Sequence, residues 1–162
     1  MYIGLGSNLG DRRSQLDLAL TRLRDIADVR RVSSYYRTEP VGHARQPDFY
    51  NAVAEIRWDG PAAKLLAALK RIERQLGRVA RFVNGPREID LDILDFGGVV
   101  RERPDPVLPH PRMADRRFVL APLAEIAPGW RHPADGRTAQ ALLAAISGGP
   151  RVRRLPRERP AA

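Results

Sequence analysis

Two stretches of this chain carry apolar residues at helical spacing, and each is flanked by short runs of strand-forming residues. Leu16, Ala19, Leu20, Leu23 and Ile26 recur every three or four positions, which predicts a helix over 12–26. Leu65, Leu66, Leu69, Ile72 and Leu76 do the same after Pro61, a first-turn proline, and the pattern stops at Gly77. Before the first helix, residues 2–5 read as a strand, followed by turn and cap chemistry in Ser7-Asn8-Leu9-Gly10-Asp11. Between the helices, 29–37 and 49–57 read as strands, separated by a loop over 38–48 with two prolines and a glycine. After an irregular basic stretch, 78–87, comes a strand ending at Phe96, and Phe96-Gly97-Gly98-Val99 signals a hairpin returning through Val99 and Val100. Four prolines between 104 and 111 exclude regular structure there. A short buried helix over 118–127 and a last helix capped by Thr138 and running to about Ile146 complete the chain. The order strand, helix, strand, strand, helix, strand, strand fits a ferredoxin-like α+β plan, an antiparallel sheet with helices on its faces in one αβα sandwich domain over 1–150.

Composition narrows the chemistry. A chain of 162 residues is long enough for one domain with a real core. No apolar run approaches a membrane span and no signal peptide opens the chain, so a soluble, cytoplasmic protein is expected; a monomer is expected as well. With no cysteine, any metal must be held by oxygen or imidazole, and a hard cation is the first expectation. The formal charge of +9 suits a polyanionic partner, including nucleic acid, a membrane surface or a phosphorylated small molecule. Part of that charge lies in Arg151, Arg153, Arg154, Arg157 and Arg159, so 151–162 is expected to be a basic, solvated, frayed tail.

The segment NGPREIDLDILDF, residues 84–96, raises the sharpest question. In a strand, Ile89, Leu91 and Ile93 share one face, and Asp90 and Asp92 share the other with Cα atoms roughly 6–7 Å apart. Side by side and partly buried, the two carboxylates repel, and a divalent cation relieves both costs. An acidic wet face paired with arginines is the bland alternative. Against it stand Arg87 at the start of the strand, the basic loop before it, and His110 fixed between Pro109 and Pro111. Carboxylates for Mg²⁺ beside arginines for phosphate are what phosphoryl transfer needs. The glycine-rich opening GLGSNLGD lacks the Lys-Ser/Thr of a P-loop and reads as a turn with a helix N-terminus. His110 reads as a phosphate donor or general acid, whereas His43 and His132 read as surface or packing residues.

Taken together, GLGSNLGDR, SSYYRTEPVG at 33–42, QPDFYNA at 46–52, GPREIDLDIL at 85–94 and LPHPRMADRRFVLAPLAEIAP at 108–128 resemble the 6-hydroxymethyl-7,8-dihydropterin pyrophosphokinase family of folate biosynthesis. The resemblance implies transfer of pyrophosphate from ATP to the pterin hydroxymethyl group with release of AMP, and two Mg²⁺ ions held by Asp90 and Asp92. It implies catalytic roles for Arg78, Arg87, Asp90, Asp92 and His110. ATP is expected to meet Leu66, Lys70, Glu73, Arg78, Arg87, Ile93, His110 and Arg116. The pterin is expected between Phe49 and Phe118, oriented by Asn51 and by the backbone about Thr38 and Val41.

The chain departs from some relatives where Asn84 replaces a tryptophan before Gly-Pro-Arg, Ala80 an arginine, Pro111 an aromatic, and Asp105 a basic residue. The 78–87 loop is expected to be mobile without ligand and to close over ATP. The rival reading, a small basic nucleic-acid-binding module, must explain two aspartates that repel phosphate unless metal-bound, and it finds no RNA-binding signature.

Overall fold

The computed structural model describes residues 1–42 and 45–156. Its strands are β1 (Tyr2–Ser7), β2 (Asp28–Val32), β3 (Tyr36–Thr38), β4 (Phe49–Arg57), β5 (Asp90–Asp95) and β6 (Val152–Arg154). Its helices are α1 (Arg12–Ile26), α2 (Ala62–Gln75), α3 (Arg117–Ile126) and α4 (Ala139–Ala145). The strands form one antiparallel sheet in the order β5-β1-β4-β3-β6, with β2 also on β4. Because β2 pairs with the 54–57 end of β4 and β3 with its 49–51 end, the two act as one interrupted strand. The ferredoxin-like α+β plan is therefore present, with β6 added at the edge.

Alternation along the strands builds the layers. Ile3 and Leu5, Ala52, Ala54 and Ile56, and Leu91 and Ile93 pack with Leu16, Leu20 and Leu23 of α1 and Leu65, Leu69 and Ile72 of α2. Tyr2, Val53 and Leu94 point the other way, into Val119, Leu123 and Ile126 of α3 and Ala139 of α4. Asp11 caps α1 by accepting the Ser14 N–H, and Thr138 caps α4 by accepting that of Ala141. Pro61 sits one place earlier than a first-turn proline, at the N-cap of α2.

Three expectations change. The run 29–37 breaks because the Ser33 hydroxyl accepts the Val53 N–H while the Ser34 N–H and hydroxyl turn to Glu125 on α3. No hairpin strand follows Phe96: Gly98 N–H bonds back to Asp95, and the Leu94 carbonyl is taken by His110 N–H, so Val99 and Val100 stay exposed and Arg101 pairs with Leu108 instead. The basic tail, expected to fray, supplies β6: Val152 lies opposite Thr38, the Arg151 N–H bonds Glu39, and Arg154 pairs with Glu125. Arg151 and Arg154 find carboxylates held elsewhere in the fold, which offsets their mutual repulsion. Residues 157–162 of the expected tail lie outside the described residues, as does His43.

Candidate active site

The site grows out of the register of β1. Gly4 lies between Asp92 on β5 and Val53 on β4, and Gly6 between Asp90 and Asn51. The two glycines share a face with all four partners, so the sheet has a trough with carboxylates on one side and an amide on the other. A Cβ at Gly6 would come within 2.8 Å of the Asn51 Oδ1, and one at Gly4 within 3.3 Å of Leu94. Above the trough lies a cleft of about 240 Å³.

At the acidic end, Arg78 bridges two acids, reaching the Glu73 Oε1 at 2.8 Å and the Asp90 Oδ1 at 2.6 Å. Arg87 adds its Nε 3.4 Å from the other Asp90 oxygen. Burial alone would raise the Asp90 carboxyl, but Arg87, Arg78 and Lys70 outweigh it and hold Asp90 below the usual carboxylate range. Asp92 is the opposite case: burial and then the Asp90 charge push it up, against weaker relief from Lys70, His110 and Arg116. One aspartate is neutralised by protein cations, and its neighbour is left wanting a cation.

His110 faces the same cleft. Burial pulls its pKa below the ordinary value, Asp92 opposes, and Arg116 and Arg112 depress it further, so the neutral imidazole prevails at neutral pH. Its Nδ1 accepts the Arg112 N–H at 3.2 Å, which leaves the ring proton on Nε2 as a donor.

At the other end, Phe49 and Phe118 both line the cleft, as do Thr38 and Val41. The Arg87 guanidinium lies 5.1 Å from the Phe49 ring centroid, and that of Arg116 lies 5.4 Å from Phe118. Each aromatic wall is thus tied to an arginine that reaches toward the acids. Asn51 donates from Nδ2 to the Thr38 hydroxyl at 3.0 Å, which fixes the direction of its free carbonyl.

The structure brings Arg87, Asp90, Asp92, His110, Arg116, Phe49, Phe118, Asn51, Thr38 and Val41 to one cleft. Arg78 joins them through Asp90. Leu66, Lys70, Glu73 and Ile93 lie outside it, on α2 and the far face of β5. Glu73 is buried, accepting the Leu91 N–H at 2.7 Å and Lys70 Nζ at 2.8 Å, while Lys70 also donates to the Leu91 carbonyl. These two side chains close the outer edge of β5. The Ile93 side chain is buried in the core, and its backbone points outward like that of Leu91 two residues before.

Sequence reasoning missed several contributors. Buried Asn8 accepts the Arg87 N–H at 2.8 Å and donates to Gln46 and to the Pro47 carbonyl, joining the start of β5 to the 39–48 loop. Its signal was the polar residue after the GLG alternation, hidden by a reading of that run as a turn. Glu39, Arg117, Ile146 and residues 148–150 also line the cleft. They are distant in sequence and carried no local pattern.

Residues 2–128 match the family model for 7,8-dihydro-6-hydroxymethylpterin-pyrophosphokinase. The Bacillus subtilis 2-amino-4-hydroxy-6-hydroxymethyldihydropteridine pyrophosphokinase is 46% identical over 127 residues, covering 77% of this chain and 76% of that protein. The folic acid synthesis protein FOL1 of Dictyostelium discoideum is 35% identical over 96% of this chain, which spans only 24% of that longer protein. Among solved structures, Plasmodium falciparum HPPK-DHPS with pterin and p-hydrobenzoate aligns with a TM-score of 0.68 over 88% of this chain and 43% of that one; at 16% identity it speaks for the fold alone. The glycine trough, the paired aspartates and the two aromatic walls of the cleft lie within the matched span, and the chain belongs to the 7,8-dihydro-6-hydroxymethylpterin-pyrophosphokinase family.

Proposed function

We propose that this ATP-dependent pyrophosphokinase of folate biosynthesis binds 6-hydroxymethyl-7,8-dihydropterin between Phe49 and Phe118 and ATP along Arg78, Arg87, His110 and Arg116. The observation that carries the assignment is the placement of Asp90 and Asp92 across Gly6 and Gly4 from Asn51 and Val53, with the two aromatic walls on the same cleft. Asn51 orients the ring through its free carbonyl while Thr38 holds its amide. The backbone near Val41 borders the same edge of the ring, and Leu66, Lys70, Glu73 and the Ile93 backbone border the nucleotide.

The two carboxylates suit Mg²⁺, which takes one or two protein oxygens and fills its remaining positions with phosphate and water. Among the described residues no cluster of three or more acidic, histidine or cysteine ligands exists, so the site is no closed protein cage. Two Mg²⁺ ions at Asp90 and Asp92 would neutralise the phosphoryl charge on both the transferred group and the departing AMP. The chain's own groups do the positioning. Arg78 and Arg87 swing between Asp90 and phosphate oxygens, so ligand binding exchanges one set of ion pairs for another. His110 donates its Nε2 proton to a phosphate oxygen as a hydrogen bond, and its low pKa keeps it neutral while doing so. The hydroxymethyl oxygen attacks the β phosphorus and gives up its proton to solvent, the bond from that phosphorus to the oxygen bridging it to the α phosphate breaks, and AMP leaves with that oxygen.

The 78–87 loop closes over the bound nucleotide. Supporting this, Val79, Phe82 and Val83 stand exposed, an apolar surface able to cover a ligand and exclude water. The protein acts as a monomer of 18.1 kDa in this reading, and dependence on ATP supports a cytoplasmic setting. No helix among the described residues is long and apolar enough to cross a membrane. The nucleic-acid alternative gains nothing from the fold: Arg31, Arg37, Arg81, Arg137 and Arg154 are paired with carboxylates.

The deciding measurement is AMP release from ATP with Mg²⁺ and the hydroxymethyl dihydropterin, run beside Asp92→Ala. AMP that appears only with both substrates, and falls away in the variant, is the expected result. An Asp92→Ala enzyme of full rate would remove the metal assignment.

A further inference from the structure

The family match ends at residue 128, yet the cleft does not. Ile146, Gly148, Gly149, Pro150 and Val152 line it as well, in a segment that leaves α4 and joins the sheet as β6. Gly148 and Gly149 both have φ in the left-handed region, at 71° and 84°, which turns the chain back toward β3.

Three ties hold this strap. At its start, Arg117 donates from a terminal guanidinium nitrogen to the Ile146 carbonyl at 2.7 Å. In the middle, Glu39 accepts the Arg151 N–H at 3.0 Å while its own N–H donates to the Arg151 carbonyl at 3.2 Å. At its end, Arg154 pairs with Glu125 and donates from Nε to the Ser34 hydroxyl, and the Leu155 N–H bonds the Tyr35 carbonyl. Glu125 also accepts from Ser34 and from the Tyr36 hydroxyl at 2.9 Å, so α3, β3 and β6 meet on one carboxylate.

The ties flank the ring end of the cleft and avoid the phosphate end. Arg117 is the neighbour of Phe118, Glu39 follows Thr38, and Val152 stands opposite Thr38 in the β3–β6 register. None of the three reaches Asp90, Asp92 or His110.

We infer that the segment from Ile146 to Arg154 is a structural wall of the pterin subsite, and that Arg117 and Glu39 are positioning residues that set affinity for the pterin and leave the nucleotide unaffected. The strap presents peptide backbone together with Pro150 and Val152, a surface that narrows the slot to a flat ring. This inference rests on the pterin assignment proposed above.

The test measures dissociation constants for the hydroxymethyl dihydropterin and for a non-hydrolysable ATP analogue, with steady-state KM and kcat, in Arg117→Ala, Arg117→Lys, Glu39→Ala and a chain ending at Ser147. Asn51→Ala serves as the reference for the pterin site itself. Loss of one such hydrogen bond is expected to raise the pterin Kd about fivefold to tenfold. The ATP-analogue Kd should stay within about twofold, and Arg117→Lys, which keeps a donor, should recover most of the loss. Melting temperatures show whether the shortened chain is folded; if it is not, the point variants decide alone. If Asn51→Ala weakens the pterin and the strap variants do not, the inference fails and the pterin site stands. If no variant changes pterin binding, both fail. Equal weakening of pterin and ATP analogue would make the strap a general stabiliser and overturn the inference.

Discussion

On one face of the sheet, helices of 15 and 14 residues lie across Ile3, Leu5, Ala54 and Leu91 and seal them. On the other, helices of 10 and 7 residues cover Tyr2, Val53 and Leu94 and stop, leaving Gly4, Gly6, Asn51, Asp90 and Asp92 open to the cleft. At about 1.5 Å per residue, α1 and α2 run roughly 20 Å and α4 only about 10 Å. The same strands serve both faces, so the comparison isolates what makes a site: on the open side, alternate positions carry glycine, amide and carboxylate where the closed side carries Ile, Leu and Ala. Reactivity here is a matter of which half of each strand the helices leave uncovered.

The sharpest way to separate the faces is to truncate one side chain on each. On the open face, Asp92→Ala is expected to lower kcat by about a hundredfold to a thousandfold, the scale of losing one preorganised electrostatic contact. Its melting temperature should be no lower than that of the parent, because burial and Asp90 already disfavour the charged form of Asp92. On the closed face, the fully buried Leu69→Ala should cost about 2–5 kcal/mol in denaturant unfolding and leave the KM of both substrates unchanged in the folded fraction. Reversal of either pattern would erase the division between the faces.

Gly6→Ala tests the trough itself. The new methyl would crowd the Asn51 Oδ1, the far end of a side chain that can turn aside, so stability should change little. The pterin KM should rise about tenfold, the worth of one misdirected hydrogen bond, with the ATP KM nearly constant.

The smallest effect concerns the loop between the faces. Hydrogen bonds from Arg81 hold the Glu88 carboxyl at about 2, against an ordinary value of 4.5. A carboxyl depressed in the fold adds stability above its unfolded pKa and loses it as pH falls through the folded value. Proteolytic cleavage within 79–86 should therefore rise between about pH 4.5 and 2, and Glu88→Gln should flatten that dependence. Near neutral pH, ATP analogue plus pterin should suppress the same cleavage; equal cleavage with and without ligands would refute loop closure.

Much of this division was legible from spacing. The helical periods of α1 and α2 and the alternation through Asp90, Leu91, Asp92 and Ile93 assign residues to faces because each signal is local. The paired aspartates are found this way, His110 stands out between two prolines, and the five matched segments extend the reading to Phe49, Asn51 and Phe118. What stayed hidden was set by partners far along the chain. Arg154 reads as part of a charged tail until Glu125 and Ser34 lie beside it, and Glu39 has no evident role until Arg151 pairs with it 112 residues later. Asn8 is one side chain in a turn-like run until Arg87 and Gln46 meet it. The break between β2 and β3 likewise needs α3, because its serines turn to Glu125 and Val53.

The pair Lys70 and Glu73, which occupies the outer peptide groups of Leu91, bears on how the molecule behaves in a crowded solution. A bare edge strand invites another chain to add itself to the sheet, and that is a route to aggregation. Here an intruding strand would first have to displace a half-buried ion pair. At the opposite edge, Arg151 and Arg153 stand exposed along β6, where a second copy would bring like charges together. The ion pair at one edge of the sheet and the exposed arginines at the other thus both oppose association of the enzyme with its own copies.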